Sequence, residues 1–247
     1  MSDRLAFVGD VHLEPEDRLL GEFLHFLDRL GEEYGRIIFT GDLFSVWLGR
    51  RELEQPHHTT LLAKLSELRE RGVVLRYIEG NHDFRIRSSH AGKLFDDVAA
   101  ETLAESFGGL RILVAHGDLA NSSDHRYRRW RGFARSPLIW GFFNLLPRNA
   151  RIRLAEATER RMRRTNLDYK REFPEGEVLA YSASFLEAGH DLVVMGHFHE
   201  EHDLRIDKGR VIVLPEWKGS RRHLEVSAAG ELLFVDYRAG GFTRAAV

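Results

Sequence analysis

The chain has 247 residues, 43% of them hydrophobic, and a formal net charge of −2, an ordinary globular composition with material for one large or two small cores. It contains no cysteine, which excludes disulfides and thiolate metal sites, so any metal must be held by His, Asp, Glu or Asn. The apolar run in MSDRLAFVGD is too short for a signal peptide, and no later stretch offers the ~20 uninterrupted apolar residues of a spanning helix. A cytoplasmic protein is expected.

In chain order, LAFVGD (5–10) reads as a strand ending in a turn. A helical pattern follows in DRLLGEFLHFLDRLGEEYG (17–35), then a strand in RIIFTGD (36–42), a helix in TTLLAKLSELRERG (59–72) and a strand in VVLRYIEGNHD (73–83). Both helical patterns end in glycine, as helix C-termini often do. Further apolar runs are RILVAHGD (111–118) and DLVVMGHFH (191–199). RVIVLPEW (210–217), HLEVSA (223–228) and ELLFVDY (231–237) come after them, separated by short turns as in an antiparallel sheet. A two-sheet α/β protein with helices outside is expected.

One segment interrupts this rhythm. From Arg126 to Arg171 there are 14 Lys/Arg against 3 Asp/Glu, a net of +11, which leaves 22 minus 35, or −13, for the remainder. DHRYRRWRGFARS (124–136), PLIWGFFNLLP (137–147) and RNARIRLAEATERRMRRTNLDYKREF (148–173) carry no strand signal, and the last is helical in pattern. There is no repeat, low-complexity tract or Gly/Ser linker, so the segment reads as an insertion on a single domain spanning 1–247.

The strand ends share a chemistry. Asp10 and His12, Asp42, Asn81 with His82 and Asp83, His116 with Asp118, and His197 with His199 all follow apolar runs, with glycines where the backbone must turn. In open α/β sheets such positions converge in one crevice. Asp10, His12, Asp42, Asn81, His116, His197 and His199 supply seven oxygen or nitrogen donors, too many for one tetrahedral ion and suited to two ions sharing a carboxylate. A sulfur-free donor set fits Mn, Fe or Zn better than copper. Two ions ~3.5–4 Å apart can orient a bridging hydroxide and stabilise both oxygens of a phosphoryl displacement.

The pattern D-x-H, GD, GNHD, H, GHxH over residues 5–217 resembles the calcineurin-like metallophosphoesterases. The resemblance implies an αββα sandwich of four layers, with Asp42 bridging two divalent ions, Mn being the expected metal. It groups Asp10, His12 and His199 on one ion and Asn81, His116 and His197 on the other. It also implies a catalytic His82 beside the metals, held toward the leaving group by Asp83.

Finer features, GDLFSVWLG, GNHDFRI, the 115–137 stretch followed by NLLP and a basic helix, and VIVLPEW, are similar to the UDP-2,3-diacylglucosamine hydrolases of lipid A synthesis. That family cleaves its substrate's pyrophosphate to UMP and 2,3-diacylglucosamine 1-phosphate, with a helical cap receiving the acyl chains. Here the cap is expected at about 124–185. Asp124, Tyr127 and Arg131 match positions near the substrate head group. Two positions depart from the family: His82 replaces its usual Arg, and GHFHEEH replaces GHTH followed by Arg-Pro. A neighbouring branch acting on another lipid-linked or nucleotide-linked phosphoester is therefore the alternative. An inactive binding scaffold would show missing ligands, and none of the seven is missing.

Arginines interleaved with Trp130, Phe133, Trp140, Phe142, Phe143, Leu145 and Leu146 suit an acyl pocket or an anionic membrane surface. Trp140 and Phe143 are the expected acyl contacts, and the cytoplasmic face of the inner membrane is the expected location. The alternative is a cap that simply packs on its own domain. The apolar PLIWGFF run fits a polynucleotide less well. Trp47 reads as core or pocket wall, and His25, His57, His58, His90, His190 and His223 read as ordinary surface or packing residues.

Overall fold

The computed structural model describes residues 3–165, 173–206, 209–238 and 240–244. Residues 166–172, at the end of the expected basic helix, lie outside the described residues. The first sheet runs β12–β11–β10–β1–β2–β3–β4. Its parallel half is β1 (Arg4–Val8), β2 (Arg36–Phe39), β3 (Val74–Ile78) and β4 (Asp97–Ala99), and its antiparallel half is β10 (Arg222–Ser227), β11 (Leu232–Arg238) and β12 (Gly241–Arg244). The second sheet has the order β5–β6–β7–β9–β8. There β6 (Leu110–Ala115), β7 (Leu192–Met195) and β9 (Gly209–Val213) are parallel, flanked by antiparallel β5 (Thr102–Phe107) and β8 (His202–Ile206).

Strand alternation divides the apolar residues between faces. Leu5 and Phe7 of β1 join Ile38, Ile112, Val114, Val194 and Ile212 in the layer between the sheets, whereas Ala6 and Val8 point outward to the helices. All four are buried, which is why β1 reads as an unbroken apolar run. On the outer face lie α1 (Leu20–Glu33) and α2 (Pro56–Glu70). The first presents Phe23, Phe26, Leu27 and Leu30, and the second Leu61, Leu65 and Leu68, at the three-and-four spacing of a helical stripe. Truncating one of these phenylalanines to alanine should destabilise by roughly 3–5 kcal/mol. The second sheet's outer face is covered by α7 (Glu175–Glu187) through Val178 and Leu186. Helix, sheet, sheet and helix make the expected four layers.

The basic segment is helical, as its lack of strand signal predicts: α4 (His125–Arg135), α5 (Pro137–Leu145) and α6 (Arg148–Thr165). Pro137 begins α5, where a missing N–H has no helical partner to lose. The insertion expected at about 124–185 takes in most of α7, but α7 is tied to the second sheet by its buried face. Of the other helices, α4 reaches the strand-end turns through Arg131 and Arg135, α5 meets Phe84 through Trp140, and α6 meets Glu52 through Arg151. Short helices α3 (Arg87–His90) and α8 (Trp217–Ser220) complete the fold. Among the described residues no helix is long and apolar enough to cross a membrane.

Candidate metal centre and active site

The carboxyl ends of β1, β2, β3, β6 and β7 bring the seven expected donors to one place. Glycine turns explain only part of how they do so. Gly41 and Gly117 have φ of 100° and 113°, but Asp10 (52°), His12 (50°), Asp42 (55°), His197 (75°) and His199 (61°) are themselves left-handed. Side-chain-bearing residues rarely adopt this conformation, and its concentration here is the kind of backbone strain that functional sites hold. Other glycines serve close approach. A Cβ on Gly80 would lie 2.0 Å from Asp42 Oδ1, and one on Gly196 would lie 2.3 Å from Asp10 Oδ2.

Two groups of donors meet at Asp42. In the first, His12 Nε2 and His199 Nε2 are 3.1 Å apart, and Asp10 Oδ1 is 3.9 Å and 3.7 Å from them. In the second, Asn81 Oδ1 lies 2.8 Å from His116 Nε2 and 2.9 Å from His197 Nδ1. Asp42 Oδ1 accepts from the His82 N–H, while its Oδ2 lies 3.8 Å from His12 Nε2 and 3.5 Å from His116 Nε2, between the two groups.

This donor set fits divalent cations. Asp10 Oδ1 is buried without a hydrogen-bond partner, which in a protein interior is costly unless a cation or donor meets it. Protonation alone leaves the cluster frustrated. Burial pushes the His12 imidazole well below its usual range, assisted by the charges of His82 and His199, and pushes His197 down to about 3, assisted by His116. Burial also drives Asp42 well above the carboxylate range, against the pull of His116. For His116, burial is overridden by Asp42 and Asp10, which raise it to about 9. A bound cation would let the carboxylates ionise and the imidazoles stay neutral together.

His82 faces the same cluster, with Nε2 3.9 Å from Asp42 Oδ2. The expectation that Asp83 orients it is corrected. Asp83 Oδ2 accepts from the Leu43 N–H at 3.1 Å and from the Tyr77 hydroxyl, and Oδ1 accepts from the Gly80 N–H at 2.6 Å, all on the core side. With both oxygens so engaged, Asp83 is not the group that holds the His82 ring. It braces the turns that carry Asp42 and Asn81. The group holding His82 is the Ser45 carbonyl, 2.8 Å from Nδ1, which fixes the neutral tautomer with a bare Nε2 toward the cluster. Burial lowers its pKa to about 4.

Tyr127 and Arg131 converge on Asp118, a residue of the HGD turn not singled out as a site residue from the sequence. The Tyr127 hydroxyl donates to Asp118 Oδ2 at 2.5 Å, and Arg131 Nε donates to the same oxygen at 2.7 Å. Burial would raise the Asp118 carboxyl, but His116 and Arg131 together hold it below the usual range. One turn further along α4, Arg135 Nη2 donates to the Gly80 carbonyl at 2.8 Å and Nη1 lies 3.2 Å from Glu79 Oε2. Two arginines four apart on one helix face thus grip the turns bearing His116 and Asn81. That spacing, readable in the sequence, was the only signal for Arg135. Asp124 caps α4, accepting from the Tyr127 N–H at 2.9 Å. Trp140 is buried, its ring 6.0 Å from that of Phe84 and its Nε1–H donating to the Ala134 carbonyl. Phe143 is half-buried beside it at 4.9 Å. Trp47 is core, and so are His57, His58 and His223; His25, His90 and His190 are less buried.

Sandwich and donor cluster together define a class, and residues 3–201 match the calcineurin-like phosphoesterase family, to which the chain belongs. It is a metal-dependent phosphoester hydrolase. Among its relatives, the UDP-2,3-diacylglucosamine hydrolase of Sodalis glossinidius (strain morsitans) is 28% identical over 238 residues, covering 95% of this chain and 98% of that protein. The protein of the same name from Pectobacterium carotovorum subsp. carotovorum (strain PC1) is 30% identical over 233 residues, covering 85% and 90%. In fold the chain is similar to Vps29 of Chaetomium thermophilum, with a TM-score of 0.51 at 13% identity, covering 99% of this chain and 95% of that one.

Proposed function

We propose that the protein hydrolyses the pyrophosphate of UDP-2,3-diacylglucosamine to UMP and 2,3-diacylglucosamine 1-phosphate. The reading rests on one observation: helices rich in arginine and exposed apolar residues stand over a phosphoesterase donor cluster, in a chain aligned nearly end to end with hydrolases of that name. We take residues 1–247 as a single metallophosphoesterase domain carrying this cap. In this reading Asp10, His12 and His199 hold one divalent ion and Asn81, His116 and His197 the other, with Asp42 shared and Mn the preferred metal. When bound, such ions supply Lewis acidity toward phosphate oxygens and a nucleophile at neutral pH.

The remaining work falls to side chains. An arriving phosphate's negative charge favours the His82 imidazolium, whose Nε2–H then donates to a phosphate or leaving oxygen while Ser45 keeps the ring aligned. Tyr127 and Arg131, fixed on Asp118, and Asp124 at the start of α4 position the sugar head group. The acyl chains lie along α5, with Phe143 on their path and Trp140 seating the helix. Leu138 and Leu145, 76% and 81% exposed, rest on the anionic cytoplasmic face of the inner membrane. The alternative, another lipid-linked or nucleotide-linked phosphoester, is favoured by His82 in place of arginine. Mass-spectrometric assay of the purified protein with UDP-2,3-diacylglucosamine and with bis-p-nitrophenyl phosphate separates the two. Turnover of the small diester without the glycolipid would remove the first reading and keep the second.

A further inference from the structure

Beneath α5 lies a recess of about 390 Å³ that no residue of the donor cluster lines. Its walls are the 48–52 segment, Arg85, the α3 residues Ser88 and Ser89, and Trp140. Arg50, Arg51 and Arg85 line it together with one acidic residue, Glu52. That carboxylate is already engaged, 3.1 Å from Arg151 Nη1 and 3.6 Å from Arg50 Nη1. Among the described residues neither Arg51 nor Arg85 makes an ion pair.

The backbone commits Arg85 to this position. Its φ is 64°, a conformation that a long side chain rarely takes and that often marks a functional constraint. Gly49 packs against it so closely that a Cβ there would lie 2.5 Å from the Arg85 carbonyl oxygen. The Arg85 and Arg50 guanidinium carbons lie 4.7 Å and 5.9 Å from the centre of the same Trp140 ring. Burial, and after it the charge of Arg50, pushes Arg85 below the usual arginine range. Two like charges are therefore held around one ring in a cation–π arrangement. Arg50 also lies beside Glu52 and donates to Asn144 Oδ1, whereas Arg85 has no carboxylate within ion-pair distance among the described residues.

We infer that this recess is a second anion site, distinct from the metal centre, in which Arg50 and Arg85 hold a phosphate group against Trp140. A tetrahedral anion offers oxygens to both planar forks, the geometry in which arginine exceeds lysine, and the recess has room for part of the molecule that carries it. The phosphate could come from a free ion or ester, or from the head group of an anionic lipid, because the outer face of α5 exposes Leu138, Phe142 and Leu145.

The test uses the metal-loaded full-length protein. Inorganic phosphate is titrated while tryptophan emission is recorded, in the wild type, in Trp140→Phe and in an Arg50→Gln/Arg85→Asn double variant. Asn tolerates the left-handed backbone, and unchanged turnover of bis-p-nitrophenyl phosphate with an unchanged Tm certifies its fold. The wild type should show a saturable response that Trp140→Phe lacks. The double variant should need roughly tenfold more phosphate or more, the scale of losing a charge-assisted hydrogen bond. Phosphate bound at the metals remains in that variant and is lost in Asp42→Ala. Sedimentation with phosphatidylglycerol or phosphatidylcholine vesicles identifies the source. Loss of phosphatidylglycerol-dependent binding along with the phosphate response assigns a lipid head group, and its retention assigns a free phosphate. No saturable response in the wild type, or an equal one in the double variant, overturns the site.

Discussion

The donor cluster and the cap show opposite ways of using the same chain. Each cluster residue follows the end of a buried strand and touches other donors, and Asp10, His12, Asp42, His197 and His199 also sit in a left-handed backbone conformation. Asp10, Asp42 and His116 are all at most 1% exposed. The cap helices instead hold few buried residues, Arg131 and Trp140 being the ones on α4 and α5, and turn Phe133, Leu138, Phe142 and Leu145 to solvent. A rigid sheet supplies positional accuracy for chemistry. A lightly anchored helical surface instead leaves apolar area exposed beside the cluster. Arg131 and Arg135, reaching from α4 to the turns of His116 and Asn81, join the two regions.

The largest expected effect lies wholly in the cluster. Chelation should abolish hydrolysis of bis-p-nitrophenyl phosphate, Mn should restore it best, and the apo protein should melt at a lower temperature. Asp42→Ala should lower kcat/KM on the order of 10⁴-fold, the scale of losing a member of a catalytic unit, and more than any other single donor change. Full activity in exhaustively demetallated protein would remove the metal reading.

Next comes His82→Ala, measured over esters of graded leaving-group pKa. If His82 protonates the leaving oxygen, alkyl esters should slow by roughly 10²–10⁴-fold and activated aryl esters hardly at all, with a pyrophosphate between them. A uniform slowing, with His82→Arg active throughout, would make it a phosphate contact only.

Arg135 tests the join between the regions. Arg135→Ala should raise the Mn concentration for half-maximal activity by roughly 10–100-fold, the usual effect of losing support behind a metal ligand. Arg135→Lys should recover part of it through the Glu79 contact. A loss of kcat at saturating Mn with unchanged metal dependence would place Arg135 in substrate binding instead.

The cap should respond selectively. Leu138→Ser with Phe142→Ser and Leu145→Ser should reduce turnover of the diacyl substrate roughly tenfold or more while sparing bis-p-nitrophenyl phosphate and Tm, because remote apolar contacts help only a long substrate. Trp140→Ser should lower Tm, since its ring is buried. Equal loss on both substrates in the exposed-face variant would mean that the face supports the fold.

The smallest effect lies outside both regions. Burial, with the charge of Arg244, holds His223 down at about 3, so between that pH and the ordinary value near 6.5 the unfolded chain binds the proton that the folded one excludes. This contribution to stability is complete above about pH 6.5 and declines as the pH falls toward 3. His223→Gln should flatten that part of the Tm–pH curve, and an unchanged curve would mean that other groups set it.

The sequence by itself determined the strands that lead to the site, the helices α1 and α2, and which seven polar side chains meet at the strand ends. Each is written locally, as an apolar run, a turn glycine and a polar residue within about ten positions. Strands β4, β5, β8 and β12 were not legible. They are short or carry polar residues on an exposed face, as TLAESF and HDLRI do, and only pairing with a neighbour makes them strands. Tertiary structure alone decided partners: Asp83 facing Tyr77 instead of His82, Tyr127 and Arg131 sharing Asp118, Arg135 meeting Gly80 from 55 residues away, and Arg50 and Arg85 meeting around Trp140. Periodicity states which face of an element is buried. Which side chain waits on the other side follows from how the sheets and cap dock, and no local pattern records that.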